Sequence, residues 1–414
     1  MRIAIIGSGI AGLSAAWHLG GSHDVTVFES ANRPGGHAWS VDLDGEAVDL
    51  GFMVYNTVTY PGITQLFSAL DVHSRESTMS FAVRSSAAEF EYQGSSLNGF
   101  FARRRSLLSL RHWNMLRGIM RFNRVAARQL EHDRSGIEGS FGEWCEVNRI
   151  GKAVRERFLR PIGSAMWSCS TRAFDDFPAV FVLGFMGNHR MLQLRGRPVW
   201  RTVVGSSRAY VESMLAASRF TLHCDHAVQR VTRASSGAKV QCAGRDPMHF
   251  DHVVLACHAD QAIELVEGAD ETELQLLSQF PYTANDVVLH RDESLLPRRD
   301  RARASWNYLL DEGGSSSIIT YDLRRLQGLR SSAPVLVTLN GTDRIKPEAI
   351  LQRHVMRHPA YAAGAYDAQQ RHEALIDRDG LSYCGAYWGW GFHEDGFASG
   401  KRVADVLCSE DAAT

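Results

Sequence analysis

The sequence predicts an α/β fold: a Rossmann-type nucleotide-binding domain, discontinuous along the chain, with an α+β domain inserted into it. Three observations carry this. The first thirty residues run strand, glycine-rich turn, helix, strand; a second pair of glycines follows at once; and the chain ends in a strand, a glycine–aromatic loop and a helix. The pieces assigned to the nucleotide-binding domain are 1–75, 205–265 and 376–408. Residues 76–204 and 266–375 are left for a substrate- and membrane-facing domain. A length of 414 residues suits two packed domains.

The opening unit places an apolar strand at 2–7, a small-residue helix at 11–19 and a second strand at 24–29. Between the first two lies Gly7-Ser8-Gly9-Ile10-Ala11-Gly12, which fits G-x-G-x-x-G. Gly7 permits the tight turn, Gly9 lets backbone approach a pyrophosphate, and Gly12 lets the helix pack closely on the sheet. The N–H groups at the helix start, with those of Ser8 and Ala11, face the phosphates. Glu29 closes the second strand, where a carboxylate accepts hydrogen bonds from ribose hydroxyls and disfavours a 2′-phosphate. Arg33-Pro34-Gly35-Gly36-His37 then forms a second close turn, of no use to a simple nicotinamide dehydrogenase. Residues 39–49 alternate like a hairpin about Asp44-Gly45. A basic helical region is expected over 97–130, a helix over 206–217, and strands over 221–224, 227–233, 238–242 and 251–256. The region beyond reads as irregular and rich in aromatics. A final strand at 381–387, a loop and a helix over 396–407 complete the order.

Composition narrows the function. The hydrophobic fraction of 44% and charged fraction of 22% are those of a globular protein, and a net charge of -1 gives no field to gather nucleic acid. The seven cysteines show no C-x-x-C spacing and no metal-ligand pattern with histidine, so no metal is expected and a reducing cytoplasm fits. Gly7, Gly9 and Gly12 break the first apolar run, which argues against a signal peptide, and no run of about 18 apolar residues predicts a membrane span.

Glu29 to His37, E-S-A-N-R-P-G-G-H, resembles the E-x-x-x-x-x-G-G-R signature of the flavin amine oxidase and phytoene desaturase superfamily. The stretch from Cys384-Gly385-Ala386-Tyr387 to His393-Glu394-Asp395-Gly396-Phe397-Ala398-Ser399-Gly400 is similar to that superfamily's closing flavin motif. The resemblance implies FAD, with the helix start at Asp395, Gly396 and Phe397 facing the flavin edge where negative charge gathers on reduction. A narrower resemblance covers essentially the whole chain. Gly36-His37-Ala38, Asp49-Leu50-Gly51-Phe52-Met53-Val54-Tyr55-Asn56 and Gly389-Trp390-Gly391-Phe392 are similar to the flavin oxidase module fused ahead of plant cyclopropane fatty acid synthases, and to its free-standing bacterial relatives. Cofactor-binding candidates are therefore Gly7, Ser8, Gly9, Ala11, Gly12, Glu29, Gly35, Gly36, His37, Gly51, Phe52, Met53, Val228, Gly385, Asp395, Gly396 and Phe397. One departure matters. His37 replaces the superfamily's usual arginine, and none of Lys152, Lys239, Lys346 and Lys401 is placed to hold water at a flavin, which disfavours oxidation of amines by O₂.

On the substrate side, Arg103, Arg104, Arg105, Arg111, Arg117, Arg121, Arg124 and Arg128 alternate with leucines, Trp113 and other apolar residues, uninterrupted by any acid. The pattern suits a helical hairpin on an anionic membrane surface with Trp113 among the headgroups, or else a solvated helix face. Catalytic candidates are His393 and Glu394, read as loop residues meeting the flavin. Tyr55, Trp306, Tyr308 and Tyr321 are expected to wall an apolar channel, and His258 and Asp260 to support the cofactor. The expected reaction is dehydrogenation or desaturation of a lipid acyl chain by hydride transfer to FAD. The alternatives are a redox-neutral isomerase using reduced flavin, or a flavin-stabilised non-catalytic subunit of a lipid-modifying S-adenosylmethionine-dependent methyltransferase. The expected location is the cytoplasm, peripheral on the inner membrane face.

Overall fold

The computed structural model describes residues 1–85, 90–193, 195–310 and 317–411. Five parallel strands form the nucleotide-binding sheet in the spatial order Thr221–His223, Asp24–Phe28, Arg2–Ile6, His252–Leu255, Leu381–Tyr383. The start, middle and end of the chain thus contribute to one sheet, and its central strands are apolar on both faces because both faces are covered.

The helix Ile10–Leu19 is buried on nearly every side because it is caught between this sheet and the last helix, His393–Asp411. Its glycine contacts make that possible. A Cβ on Gly12 would overlap the Gly7 carbonyl oxygen, and one on Gly400 would overlap the carbonyl oxygen of Ala11. The weak amphipathicity of A-G-L-S-A-A is the sequence trace of packing on two sides.

The hairpin is Ser40–Leu43 and Glu46–Asp49, with Asp44 and Gly45 at φ 52° and 78°, a turn that suits the strands' right-handed twist. Its last residue, Asp49, is buried and accepts hydrogen bonds from Ser40 Oγ, the Ser207 amide and hydroxyl, and Gln327 Nε2. One carboxylate therefore ties the hairpin to the helix Ser207–Ala216 and to the helix Leu323–Gln327. Burial pushes its pKa up to about 6.

Residues 266–375 are not irregular. They supply most of a seven-stranded sheet in the order Ile350–Pro359, Tyr282–His290, Leu336–Leu339, Ile318–Asp322, Trp306–Leu310, Phe81–Ser85, Glu91–Gln93. The polar residues of Ile350–Pro359 conceal a strand with one solvated face, visible as alternating exposure along its first half. The basic region also differs from expectation. It forms two short turns, Leu97–Phe100 and Arg104–Leu108, and one continuous helix, Leu110–His132, rather than a helical hairpin. Ser109 caps the long helix and nothing within it breaks the pattern. Trp113, half-buried, packs on Phe101, with ring centroids 4.7 Å apart, and donates to the Leu107 carbonyl. Among the described residues no helix is long and apolar enough to cross a membrane.

Candidate functional site

A cavity of about 770 Å³ runs from the carboxyl edge of the nucleotide-binding sheet to the seven-stranded sheet and the long helix. At the first end Gly7, Gly9, Ile10 and Ala11 line it, so the turn after the first strand and the start of the first helix face it directly. The helix is capped by backbone alone at Gly9, leaving its first N–H groups for an anion. Gly7 has φ +104°, a conformation that favours glycine, and a Cβ there would press on the Ala256 carbonyl.

Glu29 also lines this end. Its Oε2 accepts the Ser8 amide at 3.0 Å and the Ser8 hydroxyl at 2.6 Å, and its Oε1 accepts the Ala31 amide at 2.9 Å. The carboxylate is thus oriented before any ligand arrives, and Ser8 acts by aiming it rather than by lining the cavity. Gly35 has a similar supporting place: its amide donates to the Ser8 carbonyl at 3.0 Å, which brings Gly36 and His37 onto the wall. Gly51, Phe52, Met53 and Gly385 line the middle. Gly12 packs the helix and does not line the cavity. Nor does Val228, which is half-buried in a separate four-stranded sheet opposite Cys242.

Three histidines meet on the wall. His37 lies 5.3 Å from His358 and 6.2 Å from His258 between ring centroids, and His258 stacks on Tyr282 at 4.1 Å. Burial lowers all three pKa values, to about 3 for His258 and His358, where the His37 ring further disfavours a charge. The cluster is neutral at physiological pH. Arg357, from the same strand as His358, lines the cavity and pairs with Asp260 at 2.5 Å. Sequence reasoning missed Arg357 and His358 because it missed their strand, whose exposed positions include Leu351 and Val355, so the sequence shows no polar–apolar alternation there.

The last loop differs from expectation. The helix begins at His393, and the Gly396 amide is already bonded to the Phe392 carbonyl at 3.1 Å. Gly396 packs on Ile10, and the Phe397 carbonyl accepts the Ser14 hydroxyl. Neither lines the cavity; Gly391, Phe392 and His393 do. Asp395 points back to accept the Phe392 amide at 2.9 Å, and burial, with Glu394 nearby, pushes its pKa up to about 7. Glu394 accepts the amides of Gly62 and Ile63 at 2.7 and 2.9 Å, at the start of the helix Pro61–Ala69. It caps that helix and does not line the cavity, which corrects its placing among the catalytic candidates. His393 does reach the wall. It stacks on Phe52 at 3.8 Å, its Nε2 lies 2.6 Å from Tyr210 Oη, and burial lowers its pKa to about 3.

Of the expected aromatic wall, Trp306 and Tyr321 line the cavity. Tyr55 bonds to Ser74 and Tyr308 to Ser317, and these two hold structure outside it; so do Trp388, which stacks on His372, and Trp390, which donates to the Phe181 carbonyl. The far half is walled by residues such as Phe81, Leu116, Ile119, Phe158, Met166 and Phe185. The charged side chains lining the whole cavity, among the described residues, are Glu29, Arg197 and Arg357, and no lysine joins them.

These residues fit a flavin dinucleotide. The glycine turn and free helix start suit a diphosphate, and Glu29 suits a ribose. Three buried atoms of lining residues, His37 Nε2, His258 Nδ1 and Trp306 Nε1, have no hydrogen-bond partner among the described residues, whereas buried polar groups are nearly always paired.

The comparisons with known proteins agree with this geometry. The family model described as flavin containing amine oxidoreductase matches residues 10–358. The chain is 50% identical over 52 residues to coproporphyrinogen III oxidase of Staphylococcus aureus. It is 39% identical over 87 residues to tryptophan 2-monooxygenase of Pantoea agglomerans pv. gypsophilae. The two matches cover 12% and 19% of this chain, and 11% and 15% of those proteins. Among solved structures, the CLA-producing fatty acid isomerase from P. acnes superposes with TM-score 0.71 at 16% identity, covering 99% of this chain and 98% of that one. Putrescine oxidase bound to putrescine gives 0.69 at 15%, and cyclohexylamine oxidase from Brevibacterium oxydans IH-35A gives 0.68 at 16%, each covering 99% of both chains. At such identities the likeness is one of fold.

Proposed function

Because the chain belongs to the family of flavin containing amine oxidoreductases, it is an FAD-dependent oxidoreductase, and we propose that its substrate is an apolar acyl chain that it dehydrogenates. The observation that carries this reading is the far half of the cavity. Its wall is aliphatic, aromatic and methionine-rich, and among the described residues it offers no carboxylate to an ammonium group. A charged amine entering it would lose hydration without gaining a partner, whereas a hydrocarbon would gain from the transfer.

Bound FAD supplies a two-electron acceptor for hydride. Glu29, the glycine turn and the first helix would hold its nucleotide half; Gly51, Phe52, Met53, Gly385 and His393 line the cavity beyond them. Forming a carbon–carbon double bond removes one hydrogen as hydride and the next as a proton. His393, neutral and anchored by Tyr210 and Phe52, is the proposed proton acceptor. Its low pKa makes it a weak base, so the reading calls for an activated, allylic or methylated position. A lipid methyltransferase of the cyclopropane-synthase type is the proposed source of such a position.

Redox-neutral isomerisation from reduced flavin is the second reading. It needs the same apolar chamber, and one protein of shared fold is a fatty acid isomerase. Anaerobic addition of lipid extracts to the purified flavoprotein separates the two. A dehydrogenase substrate bleaches the oxidised flavin and yields a product with two fewer hydrogens. An isomerase gives product only after prior reduction. Bleaching by putrescine or cyclohexylamine, and by no lipid, would overturn the acyl-chain reading.

A further inference from the structure

The cavity opens to solvent at its apolar end beside Gly94, Ser95 and Met120, which are exposed. Just outside that mouth the chain displays Leu97, Leu107, Leu108 and Leu110 at 66%, 45%, 90% and 78% exposure. Three of these leucines fall within four residues. Other exposed large apolar side chains, such as Val58, Val147 and Leu274, are scattered singly.

Arginines surround this patch. Arg103, Arg104 and Arg105 share a groove with Arg298, Arg299 and Arg301 from a distant part of the chain. Arg111 and Arg117 continue the exposed basic face along the long helix. Among the described residues, acids near the groove are few and engaged: Glu91 is buried and pairs with Arg299, and Asp300 lies 3.5 Å from Arg303. From residue 92 to residue 130 the sequence has no aspartate or glutamate.

We infer that this face docks on an anionic lipid bilayer, with the leucines in the acyl boundary and the arginine groove on lipid phosphates. Aliphatic side chains at the tip of a basic surface match the layering of a bilayer, apolar interior beneath anionic headgroups. The docked orientation sets the cavity mouth against the membrane, so an apolar ligand passes from bilayer to chamber without crossing water. The inference does not depend on which reaction the chamber performs.

Co-sedimentation of the FAD-loaded protein tests it, with vesicles of phosphatidylcholine alone or with one third phosphatidylglycerol. The wild type is expected to pellet with the phosphatidylglycerol vesicles at low salt and to release at high salt. The R103Q/R104Q/R105Q variant loses about 100-fold in partitioning, at roughly fivefold per arginine. The L108N/L110N variant changes only exposed side chains outside the cavity. It loses about tenfold while keeping the wild-type flavin content and melting temperature. Should the arginine variant fail to fold, the leucine variant carries the test. Binding to neither vesicle, equal binding to both, or undiminished binding of L108N/L110N overturns the inference. So does complete displacement from vesicles by inorganic phosphate at matched ionic strength, which would mark a site for a free anion.

Discussion

Tyr210 Oη and His393 Nε2 lie 2.6 Å apart in a fully buried contact that joins the helix Ser207–Ala216 to the first turn of the last helix. The phenol keeps its proton, since burial raises its pKa well above the ordinary value, and burial keeps the imidazole neutral. Both partners are therefore uncharged, and the hydrogen bond between them holds the His393 ring on the cavity wall, stacked against Phe52.

His393→Asn should retain FAD, because the glycine turn and Glu29 are untouched. Its anaerobic reduction by the true substrate should slow by about 10²–10⁴-fold if the imidazole accepts the proton. The imidazole itself should add no inflection to the wild-type rate between about pH 5 and pH 8, because a pKa lowered to about 3 leaves the ring neutral throughout. A full-rate His393→Asn enzyme removes His393 from this role.

Glu29→Ala should weaken FAD retention by about 1–3 kcal/mol, the usual loss when a buried hydrogen-bond partner is removed. The Ser8 amide and hydroxyl lose their acceptor together with the ribose. Dialysis followed by flavin fluorescence measures the change. Unaltered retention would show that the carboxylate does not hold the cofactor.

Glu394→Ala should lower stability by about 1–2 kcal/mol, the magnitude of a lost helix cap, since two amides at the start of Pro61–Ala69 lose their acceptor. Flavin reduction by substrate should stay at the wild-type rate. A large drop in that rate with unchanged melting temperature would return Glu394 to the chemistry.

Acid should destabilise the fold from below about pH 6.5. Burial holds His189 and His290 at about 4, and His258, His358, His372 and His393 at about 3. The unfolded chain binds protons at these groups near pH 6.5, so stability present above that pH is lost as pH falls toward the folded values. Each contributes up to about 1.4 kcal/mol per pH unit. Asp49 and Asp395, raised to about 6 and 7, act in the opposite sense: their penalty is full above those values and eases as pH falls. The histidines outweigh them, so the melting temperature should fall between pH 7 and pH 5. A melting temperature that rises over that interval contradicts the assigned directions.

The nucleotide half of the site was legible in the sequence because its determinants are local. Gly7, Gly9, Gly12 and Glu29 belong to one strand–turn–helix–strand unit, where backbone conformation and close approach restrict the residue type at each position. The hairpin at Asp44-Gly45 was legible for the same reason. The other half was decided by tertiary structure. Arg357 and His358 reach His37 only because the strand Ile350–Pro359 pairs with Tyr282–His290, a pairing between segments far apart in the chain. Glu394 looked catalytic beside His393, yet consecutive residues on a helix point about 100° apart, so one faces the cavity and the other caps Pro61–Ala69. Sequence order makes such residues neighbours; only the packed fold decides which of them meets the ligand.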